Sequence, residues 1–257
     1  MKIDMADGTV GVAAQGDGRP MVLLHSLLAD AGSFEAIVAP LSRRFRILVP
    51  DLPGFGGSTP VTGGLAAVAD RMAEVIRHLT GDQQPIILGN GFGGFVTLQL
   101  AIRHPDLAAR LILADSGAAF SEAGRQAFRT MAAAAAAKGL EAIAEIAMRR
   151  LFAPEFQAAH PDLMAIRRAA FLRTDMDMFQ EACQALAGLD LRDEVARIRV
   201  PTLVLVGAQD EATPPAMSME LAALLPDARL TILPGCAHVP QLQMPEAFLA
   251  AIEGFIR

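Results

Sequence analysis

Cysteine is scarce in this chain. Cys183 and Cys236 are the only two in 257 residues, too few for a disulfide framework or a cysteine-rich metal site. Basic charge is also short. Lys and Arg number 22 against 28 Asp and Glu, a net charge of −6, which argues against nucleic acid and against an anionic membrane surface as partners. No run of about 18 apolar residues occurs, so no membrane span is expected. Met1 to Gly8 lack the basic stretch followed by an apolar one that marks a secretory signal, and a cytoplasmic protein is the expectation. His78, His104 and His160 show no metal-ligand spacing, so neither a metal nor a cofactor is expected. Nothing in the pattern sets an oligomeric state.

What is present is enough apolar residue for a sizeable core: 53% hydrophobic against 19% charged. The length fits one large α/β domain or a domain with an insert. Strands are expected over 2–6, 10–14, 21–25, 46–51, 86–90, 110–114, 203–207 and 229–233. From 21 onward these runs are almost wholly apolar, as parallel strands buried on both faces should be. Helical patterns over 34–41, 65–79, 92–104, 215–225 and 245–256 lie between them. This alternation predicts a mostly parallel eight-stranded sheet with helices on both faces. Asp7-Gly8 suggests a hairpin between the first two strands and so an antiparallel edge.

Residues 118–197 break the rhythm, with several helical stretches and no good strand. The alanine run 132–137 is strong helix former, and Pro154 and Pro161 punctuate the region. We read it as a helical cap inserted into a core formed by 1–117 and 198–257. No Pro/Gly-rich linker sets it apart, so it should pack on the core as a lid over the carboxyl ends of the strands.

Four segments carry the chemistry. Gly89-Asn90-Gly91-Phe92-Gly93 follows a buried strand and opens a helix. That is the strand–turn–helix context of a nucleophile elbow, G-x-S-x-G, with glycine where the serine belongs. Leu23-Leu24-His25-Ser26-Leu27 ends another apolar strand, where a backbone N–H could join the one after the elbow to form an oxyanion hole. Those donors would be Leu27 and Phe92. Asp210 follows a third apolar strand, and His238 follows the last one. Position 91, then an acid, then a histidine is the chain order of a nucleophile–Asp–His triad. Asp210 would orient His238, and His238 would act as general base. Asp115, also after a strand, is a spare acid that fits the order less well. Ser26 and Cys236 lie near the key segments but off the elbow, so neither is expected to act as a substitute nucleophile.

At this point the chain resembles the α/β-hydrolase family along nearly its whole length. Asp51-Leu52-Pro53-Gly54-Phe55-Gly56-Gly57-Ser58 is similar to the family's D-x-x-G-x-G-x-S loop. Gly89 to Gly94 is similar to G-N-S-F-G-G with one substitution. Several pieces look closest to 3-oxoadipate enol-lactonases: His25-Ser26-Leu27 resembles their N-S-L segment, and Arg150 to Phe156 their R-W-F-T-P-x-F motif, with Leu151 in place of tryptophan. The resemblance implies a helical cap, no cofactor, and a small carboxylic ester, enol-lactone or related diketone as substrate, bound between cap and sheet. His25, Ser26, Arg150 and Phe152 become candidate substrate contacts. Among the cap arginines Arg149, Arg150, Arg167, Arg168 and Arg173, one could hold a substrate carboxylate, although a solvated face is the plainer reading. Met148, Met164, Met176 and Met178 line a pocket or fill the cap core.

Three functions stay open. The first is an ester or lactone hydrolase whose nucleophile position holds Gly91, a silenced or substituted serine hydrolase in which Gly91→Ser would raise turnover by orders of magnitude. The second is a nucleophile-free His238–Asp210 acid/base enzyme, working by direct water attack, lyase or isomerase chemistry, or cofactor-free oxygenation. The third is a non-catalytic, ligand-binding pseudohydrolase.

Overall fold

A computed structural model describes all residues, Met1–Arg257. Eight strands form one sheet in the order β1-β2-β4-β3-β5-β6-β7-β8. They are β1 (Lys2–Met5), β2 (Gly8–Gln15), β3 (Arg19–Leu24), β4 (Phe45–Pro50), β5 (Ile86–Asn90), β6 (Arg110–Ala114), β7 (Thr202–Gly207) and β8 (Ala228–Leu233). β2 is antiparallel to both β1 and β4, and every other pairing is parallel. The mostly parallel eight-stranded sheet is therefore as the alternation predicts. The hairpin differs by one residue: Met5 pairs with Gly8, so Ala6-Asp7 make the turn. β3 and β4 also stop earlier than their apolar runs suggest. Their ladders end at Leu24 and Pro50, leaving His25 and Asp51 to open the loops.

Strand residues alternate between two apolar layers. Val22, Leu24, Leu48, Ile87, Leu113 and Val204 meet helices α2 (Gly64–Thr80) and α3 (Phe92–Arg103) on one face. Met21, Leu23, Ile47, Ile86, Ile112 and Leu205 meet α1 (Glu35–Ser42) and α12 (Pro245–Ile256) on the other. Both faces of the central strands are thus covered, which is why their sequences read as unbroken apolar runs.

Between β6 and β7 the chain leaves the sheet for α4 (Glu122–Lys138), α5 (Ala144–Leu151), α6 (Pro154–Ala159), α7 (Pro161–Phe171), α8 (Met176–Ala187) and α9 (Arg192–Val195). An isolated bridge between Ala119 and Asp190 pins the base of this excursion. The alanine run lies inside α4, capped by Ser121 and ended by Gly139 at φ +79°. α10 (Pro215–Leu224) and the short α11 (Pro240–Gln243) complete the chain. No helix is long and apolar enough to cross a membrane.

The chain runs from β3 outward to β4, then crosses back to β5. In an open parallel sheet the crevice at such a reversal, outside the strands' carboxyl ends, is where ligands bind. Ser26 and Gly91 sit at those two ends.

Candidate active site

β5 ends at Asn90 and α3 begins at Phe92, so the chain must reverse within one residue. Gly91 does this at φ +54°, ψ −117°, a conformation that L side chains rarely adopt. The turn is locked by the Gly91 N–H to the Ala114 carbonyl (2.9 Å) and the Gly93 N–H to the His25 carbonyl (3.0 Å). Gly93 has to be glycine, because a Cβ there would strike the Leu24 carbonyl. The close approach brings the end of β3 against the start of α3. Leu27 and Phe92 thereby line one cavity. The Leu27 N–H donates to no group of the chain. The Phe92 N–H, first of its helix, has no intrahelical acceptor.

Asp210 and His238 meet below this cavity although 28 residues separate them. His238 Nδ1 lies 2.8 Å from Asp210 Oδ2, with His238 5% and Asp210 3% exposed. Asp210 is well supplied with donors. Its Oδ1 accepts from the Ala212 and Thr213 N–H groups at 2.8 and 3.0 Å, and Oδ2 accepts from the Thr213 hydroxyl at 2.6 Å. Burial alone would raise its pKa. The neighbouring His238 and the Thr213 donors outweigh that and hold it below the usual carboxylate value. An ionised carboxylate only accepts, so His238 Nδ1 donates to Asp210, and in the neutral ring Nε2 is left as the acceptor. Nε2 faces the Ser26 hydroxyl at 3.2 Å. A continuous chain Asp210–His238–Ser26 results.

Thr213 escaped the sequence reading. Its one signal is the spacing Asp210-x-x-Thr213 before Pro214, which suits a turn closed on an aspartate side chain. Asn90 was also missed as a supporting residue: its amide donates to the His238 carbonyl at 2.8 Å, and Gln241 donates to Asn90 Oδ1 at 3.1 Å. The residue before the turn therefore holds the histidine loop in place.

Asp115 stands beside the pair. The ligating atoms of Asp115, Asp210 and His238 lie within 4.8 Å of one another. The same atoms are occupied within the chain, since Asp115 Oδ1 accepts from the Gly207 N–H at 2.9 Å and Asp210 holds the contacts above. Burial, then the negative charge of Asp210, raises the Asp115 pKa well above its ordinary value. The shift favours the neutral form of Asp115 beside the Asp210 carboxylate.

Other expected site residues fall differently. His25 is fully buried away from the cavity. Leu52 N–H donates to its Nε2 at 3.1 Å, and Nδ1 lies 3.0 Å from the Ser26 carbonyl. Desolvation lowers its pKa, in keeping with an Nε2 that accepts from Leu52. His25 holds the Ser26 peptide and is not a substrate contact. Phe152 is 1% exposed and stacks on Phe156; it does not line the cavity at Gly91 but borders, with Arg150, the neighbouring cleft beside Asp210. An aromatic ring at a helix end gains more from burial than from facing a wet cleft. Arg150 does line that cavity, and it makes no ion pair or hydrogen bond within the chain. Arg167 and Arg173 pair with Asp30, and Arg168 with Glu141. Met131, Phe120, Phe128 and Leu186 supply the apolar wall. Of the cap methionines, Met148 and Met178 are buried in the core and Met164 and Met176 pack against it, so all four fill the cap and none lines this cavity. Burial pushes the Cys236 thiol up to about 12, so it holds no reactive thiolate at neutral pH. The cavity is narrow, about 30 Å³, room for no more than a water or two.

The likeness to known proteins follows these features. The family described as alpha/beta hydrolase fold matches residues 19–245. A pimeloyl-[acyl-carrier protein] methyl ester esterase of Vibrio vulnificus is 27% identical over 94% of this chain and 95% of its own. A 2-hydroxymuconate semialdehyde hydrolase of Pseudomonas putida is 32% identical over 94% of this chain and 88% of its own. The crystal structure of the enol-lactonase from Burkholderia xenovorans LB400 superposes with a TM-score of 0.93 at 26% identity, covering 100% of this chain and 99% of that one. By sheet order, turn geometry and sequence match alike, this chain belongs to the α/β-hydrolase family.

Proposed function

We propose that the chain hydrolyses small, partly apolar carboxylic esters or enol-lactones. His238, oriented by Asp210, is the general base, and the Leu27 and Phe92 amides form the oxyanion hole. One observation carries this reading: a buried Asp210–His238 pair in which His238 Nε2 meets only the Ser26 hydroxyl and His238 lines one cavity with Leu27 and Phe92, two residues whose N–H groups have no partner in the chain. Burying an ionised carboxylate is costly, and a pocket that only bound an apolar ligand would gain nothing from it. The pair supplies a proton acceptor, and the amides neutralise charge that develops on a carbonyl oxygen during attack.

The relatives support the substrate class, since their names cover an ester, an enol-lactone and a semialdehyde. Arg150 narrows it further. An unpaired guanidinium at the cavity wall favours a substrate with a free carboxylate, held through two parallel hydrogen bonds. Residues 118–197 serve as the lid. α4 and α8 supply Phe128, Met131 and Leu186 to the cavity wall at Gly91, and a wider cleft of about 660 Å³ shares Arg150 with that cavity and reaches Phe152 and Asp210.

The test is hydrolysis of p-nitrophenyl acetate and of a carboxylate-bearing enol-lactone by the chain and by His238→Ala. The expected loss in the variant is about 1,000-fold or more. Equal turnover by both proteins, or none by the parent, would overturn the proposal.

A further inference from the structure

A histidine base needs an oxygen to act on, and the elbow offers none. The side-chain space at Gly91 is nevertheless not empty. A Cβ built on Gly91 would lie 2.5 Å from Ser26 Oγ and 2.6 Å from His238 Nε2. The Ser26–His238 hydrogen bond therefore runs through the volume that an elbow side chain would fill. We infer that Ser26 is the nucleophile, its hydroxyl presented from the end of β3 in place of one from the end of β5. This rests on the hydrolase reading for its chemistry.

Three further observations agree. First, the Ser26 hydroxyl has one partner, His238 Nε2 at 3.2 Å, and His238 Nε2 has no other. The Thr213 hydroxyl lies on the Nδ1 side of the ring and is spent on Asp210. Second, Ser26 is held from behind. Its carbonyl accepts from the Ala29 N–H at 3.3 Å and faces His25 Nδ1 at 3.0 Å, so the peptide cannot swing freely. His25 is thus a positioning residue for Ser26. Third, Ser26 lines the cavity with Leu27 and Phe92. The Leu27 N–H follows Ser26 as the Phe92 N–H follows Gly91. The nucleophile-plus-next-amide relation is kept, and the two amides of the hole are unchanged.

The reaction balances with water as the only co-reactant. Ser26 Oγ gives its proton to His238 Nε2 and bonds to the acyl carbon, whose oxygen takes up negative charge at the Leu27 and Phe92 amides. Collapse breaks the bond to the leaving oxygen, which receives the proton from His238. Water then gives a proton to His238, attacks the acyl–Ser26 ester and releases the acid, and the proton returns to Ser26 Oγ.

An alkyl fluorophosphonate and p-nitrophenyl acetate provide the test. The expected results are a single phosphonyl adduct mapped to Ser26 by peptide mass spectrometry, a stoichiometric burst of p-nitrophenolate, and loss of both in Ser26→Ala. That variant should lose about 1,000-fold in kcat, while Ser26→Cys should accumulate a thioester. Labelling is read on the parent protein, so it does not depend on how a variant folds. His238-dependent turnover with no adduct, and under tenfold change in Ser26→Ala, would overturn the assignment while leaving the hydrolase reading intact through direct water attack. Labelling at Ser26 without turnover of any ester would uphold the nucleophile and sink the substrate class. Neither labelling nor turnover would overturn both.

Discussion

The ends of β3 and β5 face each other across the cavity. Each breaks from its strand into a tight loop, and each leads to a residue that lines the cavity and whose N–H has no partner in the chain, Leu27 and Phe92. They differ in what precedes that N–H. At the end of β5, Gly91 takes a strained backbone and offers no side chain. At the end of β3, Ser26 offers a hydroxyl on a backbone without that strain, since Asp115 is the only non-glycine residue with positive φ. The sharp turn and the attacking group, usually one residue in this architecture, are separable. Once the turn residue is bare, the histidine and the hydroxyl opposite can close over it.

The comparison breaks most clearly at Gly91→Ala. A methyl group there meets both Ser26 Oγ and His238 Nε2 inside normal contact, so the pair must part. Ester turnover should fall about 100-fold or more, with stability reduced by about 1–3 kcal/mol from the strained backbone. Turnover and urea unfolding measured together separate the two effects, and a fully active Gly91→Ala would show that the Ser26–His238 contact is dispensable.

Moving the hydroxyl back sharpens the same contrast. In Ser26→Ala/Gly91→Ser, one of the two colliding atoms is gone and a new hydroxyl stands on the turn. We expect partial rescue, about 10- to 100-fold above Ser26→Ala alone, because His238 must still shift to admit the new Cβ. Gly91→Ser with Ser26 intact should gain nothing, since two hydroxyls then compete for one imidazole. A gain of several orders in that single variant would return the nucleophile to the elbow.

Arg150 tests substrate recognition on the same cavity. Arg150→Gln should raise KM about 10- to 100-fold for substrates with a free carboxylate, as expected for loss of a charge-assisted contact of roughly 1.5–3 kcal/mol. It should leave neutral p-nitrophenyl esters nearly unchanged. Equal effects on both classes would place Arg150 in the packing of the cavity and not in binding the carboxylate.

How far these features could be read from the chain depends on their range. Asp210 and His238 were legible because each closely follows an apolar run, and the topology of a parallel sheet brings strand ends together. Gly91 was legible from its flanking glycines. The Ser26–His238 contact was not, because 212 residues separate them and only the order of β3 beside β5 joins them. His25 misled for the same reason: its partner Leu52 lies beyond β4, and a linear pattern does not give strand order. Phe152 could be placed along the chain but no further, because resemblance says nothing of which way a ring turns.

The smallest effect is expected at Asp115, and its sign with pH should be opposite to that at Asp210. Asp210 has a folded pKa below its ordinary value, so its contribution to stability is present at neutral pH and lost as pH falls through that folded value. Asp115 has a raised folded pKa, so the neutral form is favoured and ionising it costs stability as pH rises. Asparagine mimics a neutral carboxyl. Its oxygen can still accept from the Gly207 N–H, and asparagine tolerates the φ of +53° found at Asp115. Asp115→Asn should therefore match the parent within about 1 kcal/mol near pH 4 and overtake it as pH rises above the ordinary carboxylate value. Asp210→Asn should lose stability at neutral pH and most of the activity, because an amide cannot hold His238 in the tautomer that leaves Nε2 free. Urea unfolding of the parent and both variants across pH 4 to 9 reads the difference. Parallel curves for the parent and Asp115→Asn would mean that Asp115 is ionised beside Asp210 after all, and that the charge of the site is spread over two carboxylates and not carried by one.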